Sequence, residues 1–385
     1  MSVPALRFKE FSGDWDENKL GDIADLTSSK RVYLSDYVSE GIPFYRGKEI
    51  SELKRNETPK DILYITTKAY NAFKASYGVP QVDDILITAV GTLGNVYRIK
   101  DDSEFYFKDG NLIWLRDIKI SSAFLEILFE TNNEAIQKSS IGSTQRALTI
   151  VELKKLKFSI PSLPEQTKIA NFLTAVDEKI SLLTQKTDLL SQYKKGVMQQ
   201  IFSQELRFKD DDGQEFPEWK EKTLGDVCKP QQWKTISASE LTEFGYPAYG
   251  ANGQIGFYSE YNHEDETVAV TCRGATCGEV TLIPPKSYIT GNSMSLDDIN
   301  PQYNNRRYVY YALILRGFRD VISGSAQPQI IGAAIRRVEI SVPSLSEQTK
   351  IANFLTAVDE KITNNQTQLN AVKQYKQGLL QQMFV

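Results

Sequence analysis

Apolar residues recur at steps of mainly four and three along two stretches of the chain. The first stretch runs through Ile169, Leu173, Val176, Ile180, Leu183, Thr187, Leu190, Val197 and Ile201. The second runs through Ile351, Leu355, Val358, Ile362, Asn365, Leu369, Val372, Leu379 and Met383. This spacing is a heptad seam, and each stretch predicts a helix of about forty residues, roughly 60 Å long. Ser162 and Glu165 stand at capping-box spacing before the first run, as do Ser344 and Glu347 before the second. A single apolar stripe on so long a helix needs a partner. An antiparallel pairing of the two helices would place the globular regions that precede them at opposite ends. Elsewhere the pattern changes to period two. "ILITAVGTLGNVYRI" from Ile85 and "VAVTCRGATCGEVTLI" from Val268 each read as strand, glycine-punctuated turn and strand. "SAFLEILFETNNEAIQK" from Ser122 and "RRYVYYALILRGFRDVI" from Arg306 predict a helix apiece.

The long helices belong to a repeat. "EQTKIANFLTAVDEKI" occurs at Glu165 and again, letter for letter, at Glu347, an offset of 182 residues. The same offset carries "QYKKGVMQQIF" at Gln192 onto "QYKQGLLQQMF" at Gln374, and "GSTQ" at Gly142 onto "GSAQ" at Gly324. "LRFK" at Leu6 returns at Leu206, and "LGDI" at Leu20 returns as "LGDV" at Leu224. One unit is therefore written twice, about 6–202 and 206–384. The organisation this predicts is a globular domain over 1–158, a long helix over 159–205, a second globular domain over 206–340 and a second long helix over 341–385. The fold class is α/β (α+β): two globular domains with mixed β-sheets, separated by two long antiparallel coiled-coil helices.

Identity extends to polar positions that seam packing does not require. Lys168, Asn171, Asp177, Lys179, Gln192, Lys194, Gln199 and Gln200 return as Lys350, Asn353, Asp359, Lys361, Gln374, Lys376, Gln381 and Gln382. Two explanations stand: recombination homogenised the copies, or each copy docks the same partner surface. On the second, Lys168, Asn171, Asp177 and Lys179, with Lys350, Asn353, Asp359 and Lys361, are the docking candidates.

Composition narrows the function classes. The net charge of −4 argues against a generic nucleic-acid binder, which carries a basic surplus, though local basic patches remain compatible with it. No run approaches the ~20 apolar residues of a membrane span, and the first residues lack a signal-peptide core, so the expected location is cytoplasmic, with no membrane partner. The three cysteines, Cys228, Cys272 and Cys277, and the single histidine, His263, offer neither a disulfide framework nor a zinc site. No metal, nucleophile or cofactor motif is present. "GIPFYRGKE" lacks phosphate-loop spacing, and "NPQY" lacks the paired prolines of an amino-methyltransferase motif. The chain reads as a recogniser, not a catalyst.

Basic, aromatic and amide side chains cluster at the predicted turns. In the first half they are Lys30, Arg31, Tyr45, Arg46, Lys48, Gln145 and Arg146. In the second they are Trp233, Lys234, Tyr249, Asn252, Arg273, Gln327 and Gln329. Arginine pairs bidentately with guanine, and glutamine or asparagine with adenine, so these are the candidate DNA contacts. The residues alone also permit a coiled-coil adaptor that joins two protein partners without recognising DNA.

The whole layout resembles the specificity (S) subunits of Type I restriction-modification systems. "SIPSLPEQTKIANFLTAVDEKI" and "SVPSLSEQTKIANFLTAVDEKI" look like that family's two conserved regions, each opening a long helix. The resemblance covers essentially the full length. It implies a non-catalytic subunit that binds a bipartite double-stranded DNA target with a non-specific spacer, one half-site per globular domain. It implies docking of two methyltransferase subunits and, through them, restriction subunits, with methylation at adenine N6. S-adenosylmethionine would sit on the methyltransferase partner, with no cofactor on this chain.

Overall fold

The computed structural model describes residues 3–55, 57–142, 146–324 and 327–384. The chain forms two compact units, one built from two separate pieces of sequence and the other from one continuous piece. One comprises Met1–Leu182 with Leu369–Val385; the other is Leu183–Gln368. Both predicted long helices are present, as Leu163–Phe202 and Leu345–Met383. Each unit therefore contains a segment of both.

In the first unit, an antiparallel sheet takes the order Asp25–Thr27, Leu112–Arg116, Ile85–Thr88, Val96–Arg98. Ile85–Thr88 is buried at all four positions, as expected of a central strand rich in branched side chains. The helix Ser122–Thr131 packs Phe124, Leu125, Ile127, Leu128 and Phe129 into the same core, and Ser121 Oγ caps its start. A second sheet, ordered Tyr37–Val38, Leu63–Ile65, Ile42–Tyr45, Tyr106–Phe107, ends in a parallel pair. Asp16–Lys19 pairs with Lys157–Ile160 and leads the chain into the long helix. Ile169, Ala170 and Leu173 of the first long helix close the core together with Leu379 and Met383 of the second. Leu6 N–H donates to Gln382 O, and Phe384 packs on Trp15 and Phe124.

The second unit repeats this plan. Its antiparallel sheet runs Lys229–Gln232, Ser293–Asp297, Thr267–Thr271, Val280–Ile283. Its mixed sheet runs Gly253–Tyr258, Tyr246–Gly250, Tyr288–Ile289, with the last pair parallel. Lys220–Thr223 pairs with Glu339–Val342 before the helix. Val197, Met198 and Ile201 meet Ile351, Ala352 and Leu355 with Tyr308 and Tyr311. Low-numbered residues of one helix face high-numbered residues of the other within each unit, so the pairing is antiparallel.

The landmarks found in the sequence have structural causes. A Cβ on Gly41 would lie 2.3 Å from Ile65 O, and one on Gly245 2.4 Å from Tyr258 O, so both turns require glycine. Three expectations are corrected. The helix from Arg306 ends at Arg316, because Gly317 takes a positive φ of 67°. The helix from Ser122 stops at Thr131, and a separate one spans Asn133–Lys138. The capping-box glutamates turn away from their own helix ends. Glu165 is buried and receives Arg7 Nε and Nη2, both at 2.7 Å. Glu347 receives Arg207 Nε at 3.1 Å, Arg207 Nη2 at 2.8 Å and Trp219 Nε1 at 3.1 Å. A bidentate guanidinium is a stronger partner for a buried carboxylate than a single backbone N–H, and it accounts for the arginine in both "LRFK" segments. Phe8 and Phe208 add edge contacts to Phe172 and Phe354, each at 5.7 Å.

Candidate nucleic-acid interface

The candidate DNA contacts gather at one end of the antiparallel sheet in each unit. In the first unit, Thr27 pairs with Trp114 and Thr88 with Leu112, so Ser28–Arg31 and the turn after Thr88 emerge together. Ser28 Oγ fastens this end by donating to Leu112 O at 3.1 Å. Gly47, at the start of the helix Gly47–Lys54, lies against Thr88, which brings Arg46 and Lys48 to the same place. The segment after Gly142 joins them through Leu148 N–H, which donates to Ala89 O at 2.9 Å.

Most side chains at this first end already have partners. Arg46 grips buried Glu49 and donates to Asp61 O at 2.9 Å. Burial works to raise the Glu49 carboxyl, but the Arg46 side chain and backbone N–H donors outweigh it and hold it below the usual range. Lys48 Nζ lies 2.8 Å from Asp61, Arg31 Nε 3.2 Å from Asp109, and Lys30 Nζ sits 4.6 Å over the Tyr77 ring. Arg146 Nη2 donates to Gln137 O at 2.9 Å. Tyr45 packs on Phe105, and burial raises its hydroxyl pKa. Gln145 lies outside the described residues.

In the second unit, Gln232 pairs with Met294 and Thr271 with Ser293, so Trp233, Lys234 and Arg273 follow at one sheet end. Thr271 Oγ1 and Thr276 Oγ1 both donate to Ala251 O, at 3.2 and 2.7 Å, which ties the Asn252 turn to the Arg273 turn. Arg273 forms an antiparallel bridge with Gln329. Arg273, Asn252, Gln327 and Gln329 are exposed. Trp233 is half-buried and directed inward: Nε1 donates to Ser295 Oγ at 3.0 Å and Asp297 Oδ2 at 3.2 Å. Beside it, His263 Nε2 lies 3.0 Å from Asp297 and Nδ1 2.7 Å from Asn262 Oδ1. Burial pushes the Asp297 carboxyl up, but the His263 and Ser295 hydrogen bonds prevail and lower it. Tyr249 is half-buried, and burial raises its hydroxyl pKa.

On the long helices, part of the repeated polar set has an intramolecular cause. Lys168 pairs with Glu10 over the Phe8 ring, and Lys350 pairs with Asp211 at 2.6 Å over Phe216. Asp177 receives Lys376 at 2.6 Å, and Asp359 receives Lys194 at 2.6 Å and the Tyr311 hydroxyl at 2.8 Å. Asn171, Lys179, Asn353 and Lys361 remain exposed, with no ion pair among the described residues. Sequence reasoning missed the roles of Gln166 and Gln348. Their Nε2 groups donate to Pro161 O and Pro343 O, while their Oε1 atoms accept the N–H of Ser121 and Asn305. Each thereby clamps a domain helix to a long helix. Their identity in both copies was the available signal.

Among the described residues no His, Cys, Asp or Glu group is arranged to hold a metal, and no helix is long and apolar enough to cross a membrane. Burial raises all three thiols, Cys228 to about 12. These are not activated nucleophiles.

The chain matches the family model of the Type I restriction modification DNA specificity domain over residues 12–192 and 217–374. It is 22% identical to the type I restriction enzyme MjaIX specificity subunit of Methanocaldococcus jannaschii, over 95% of this chain and 92% of that protein. It is 28% identical to the type I restriction enzyme EcoprrI specificity subunit of Escherichia coli, over 55% of this chain and 54% of that protein. The crystal structure of a Type-I restriction-modification system S subunit from M. genitalium shares the fold. Its TM-score is 0.70 at 19% identity, covering 100% of this chain and 99% of that one.

Proposed function

The chain belongs to the Type I restriction-modification DNA specificity family, and from that premise we propose that it reads a bipartite double-stranded DNA target. Each unit recognises one half-site through the turns at its sheet end. The observation that carries this reading is internal. The two units share their frame down to single hydrogen bonds, while the side chains at the reading ends differ. A shared frame with divergent ends suits two different half-sites.

The chain itself is the non-catalytic subunit. Its partners on this reading are two methyltransferase subunits, which hold S-adenosylmethionine and methylate adenine N6, and restriction subunits that join through them, in the cytoplasm. Lys168, Asn171, Asp177 and Lys179, with Lys350, Asn353, Asp359 and Lys361, are the docking candidates, and of these Asn171, Lys179, Asn353 and Lys361 repeat without an ion pair among the described residues.

The test is domain exchange. The chain is co-produced with its methyltransferase subunits, and methylated sites are sequenced before and after residues 1–158 are replaced by those of another family member. One half of the target should change while the other half persists. A change in both halves, or methylation without sequence preference, would overturn the reading.

A further inference from the structure

The two reading ends share one platform built from a turn and a facing segment. In the first unit Leu148 N–H donates to Ala89 O at 2.9 Å, and Ile141 bridges Ala147. In the second Ile330 N–H donates to Cys272 O at 3.0 Å, and Ser323 bridges Gln329. Ile330 lies 182 residues after Leu148, the offset of the repeat. The position after the accepting carbonyl is Val90 in one platform and Arg273 in the other. On the facing segment, Arg146 and Ala147 correspond to Pro328 and Gln329. Each platform thus carries an arginine, on opposite sides.

The arginines differ in what they already hold. Arg31 pairs with Asp109, Arg46 with Glu49, and Arg146 donates to Gln137 O. The Arg273 side chain is exposed and has no hydrogen bond or ion pair among the described residues. Among the described residues it gives up no internal acceptor on meeting a ligand. Its backbone is nonetheless held to the facing segment through the bridge to Gln329, whose two hydrogen bonds flank it: Ile330 N–H to Cys272 O at 3.0 Å and Gly274 N–H to Pro328 O at 3.1 Å. Bridged residues on neighbouring strands place their Cβ atoms about 5 Å apart, so Gln329 stands beside Arg273. A planar guanidinium matches guanine O6 and N7, and a glutamine amide matches adenine N6 and N7.

Building on the proposed reading of one half-site per unit, we infer that Arg273 reads a guanine in the second unit's half-site, with Gln329 on the adjoining base pair. The experiment uses the complex with its methyltransferase subunits. The wild-type methylome first defines the target. Binding is then measured on duplexes substituted at each position of it, for wild type, Arg273→Lys and Arg273→Ala. Lysine keeps the charge but loses the two-pronged donor. Both variants should lose discrimination at one guanine by about 10- to 100-fold, with the other half-site intact. Arg273→Lys behaving as wild type would overturn the inference. So would Arg273→Ala weakening all sequences equally, which marks a phosphate contact. A wild-type complex without any bipartite motif would instead sink the proposed function, so the two failures are distinct.

Discussion

Glu165 and Arg7 in one unit do what Glu347 and Arg207 do in the other. Gln166 and Gln348 make the same pair of hydrogen bonds, and Gly41 and Gly245 occupy the same tight turn. The same comparison fails at the sheet ends. Val90 stands where Arg273 does, and Arg31, Arg46 and Arg146 are engaged while the Arg273 side chain has no hydrogen bond or ion pair among the described residues. The difference separates two kinds of constraint. Frame residues answer to buried partners within the chain, where a change leaves a carboxylate or an amide unsatisfied. Residues at the ends answer to an outside ligand, and two ligands allow two answers.

The largest effect expected from breaking this symmetry lies in the buried ion pairs. Removing the carboxylate strips the arginine of its two-pronged acceptor but leaves it two backbone carbonyls, a loss of about 1.5–3 kcal/mol. Glu165→Ala should loosen the first unit and Glu347→Ala the second. Glu347→Ala should cost somewhat more, since the Trp219 indole loses its acceptor too. Hydrogen exchange followed peptide by peptide reads this directly. Protection should fall in the mutated unit alone; equal loss in both would mean the units do not hold their frames separately.

A smaller, pH-dependent contrast sharpens the comparison. Each unit sets a tryptophan indole on an acid: Trp114 on Asp84 at 2.8 Å, and Trp233 on Asp297 at 3.2 Å. Burial dominates at Asp84 and raises its pKa, against the Gln81 and Trp114 hydrogen bonds. At Asp297 burial is outweighed, chiefly by the His263 and Ser295 hydrogen bonds, and the pKa falls. The signs of linkage are opposite. Asp297 contributes stability above the ordinary carboxylate range of about 4, lost as pH falls through its lower folded value. Asp84 favours folding below about 4 and opposes it as pH rises through its raised folded value. In urea unfolding, Asp297→Asn should therefore cost more at pH 7 than at pH 4, and Asp84→Asn more at pH 4 than at pH 7. Slopes of the same sign would refute the contrast.

Heptad spacing was enough to find both long helices, because a 3.5-residue apolar period has few other readings. Period-two runs and glycines found the strands that carry the sheet ends. The turns holding Arg273, Gln329 and Asn252 were visible for the same reason, and the structure brings them together. What stayed hidden was which polar groups meet. Glu165 looked like a local cap because sequence spacing shows only neighbours; its partner, Arg7, lies far away in the chain. Nothing in a single helix reveals that Lys168 faces Glu10 or that Asp177 faces Lys376. The two units also cut across the sequential pieces: Leu369–Val385, from the far end of the chain, belongs to the first unit, and the second begins inside the first long helix, at Leu183.

The smallest effect concerns one seam position where the copies disagree. Asn365 stands at the offset of Leu183, and it is buried in the second unit. Its Nδ2 donates to Leu183 O at 2.7 Å and Thr187 Oγ1 at 2.6 Å, while Oδ1 has no partner. A half-satisfied buried amide gives little net stability, but it favours the one register in which its donors are met. Asn365→Leu removes the unsatisfied oxygen, and Thr187 keeps its own bond to Leu183 O at 2.9 Å. The unfolding midpoint should stay level or rise, by no more than about 1 kcal/mol. Asn365→Ala, which leaves a cavity and no donors, should lower stability by about 1–2 kcal/mol. Register is read by zero-length carbodiimide coupling of Lys194 to Asp359, whose side chains wild type holds 2.6 Å apart. Asn365→Leu should couple this pair less completely than wild type. Full coupling in the leucine variant would show that the apolar seam positions fix the register without the amide.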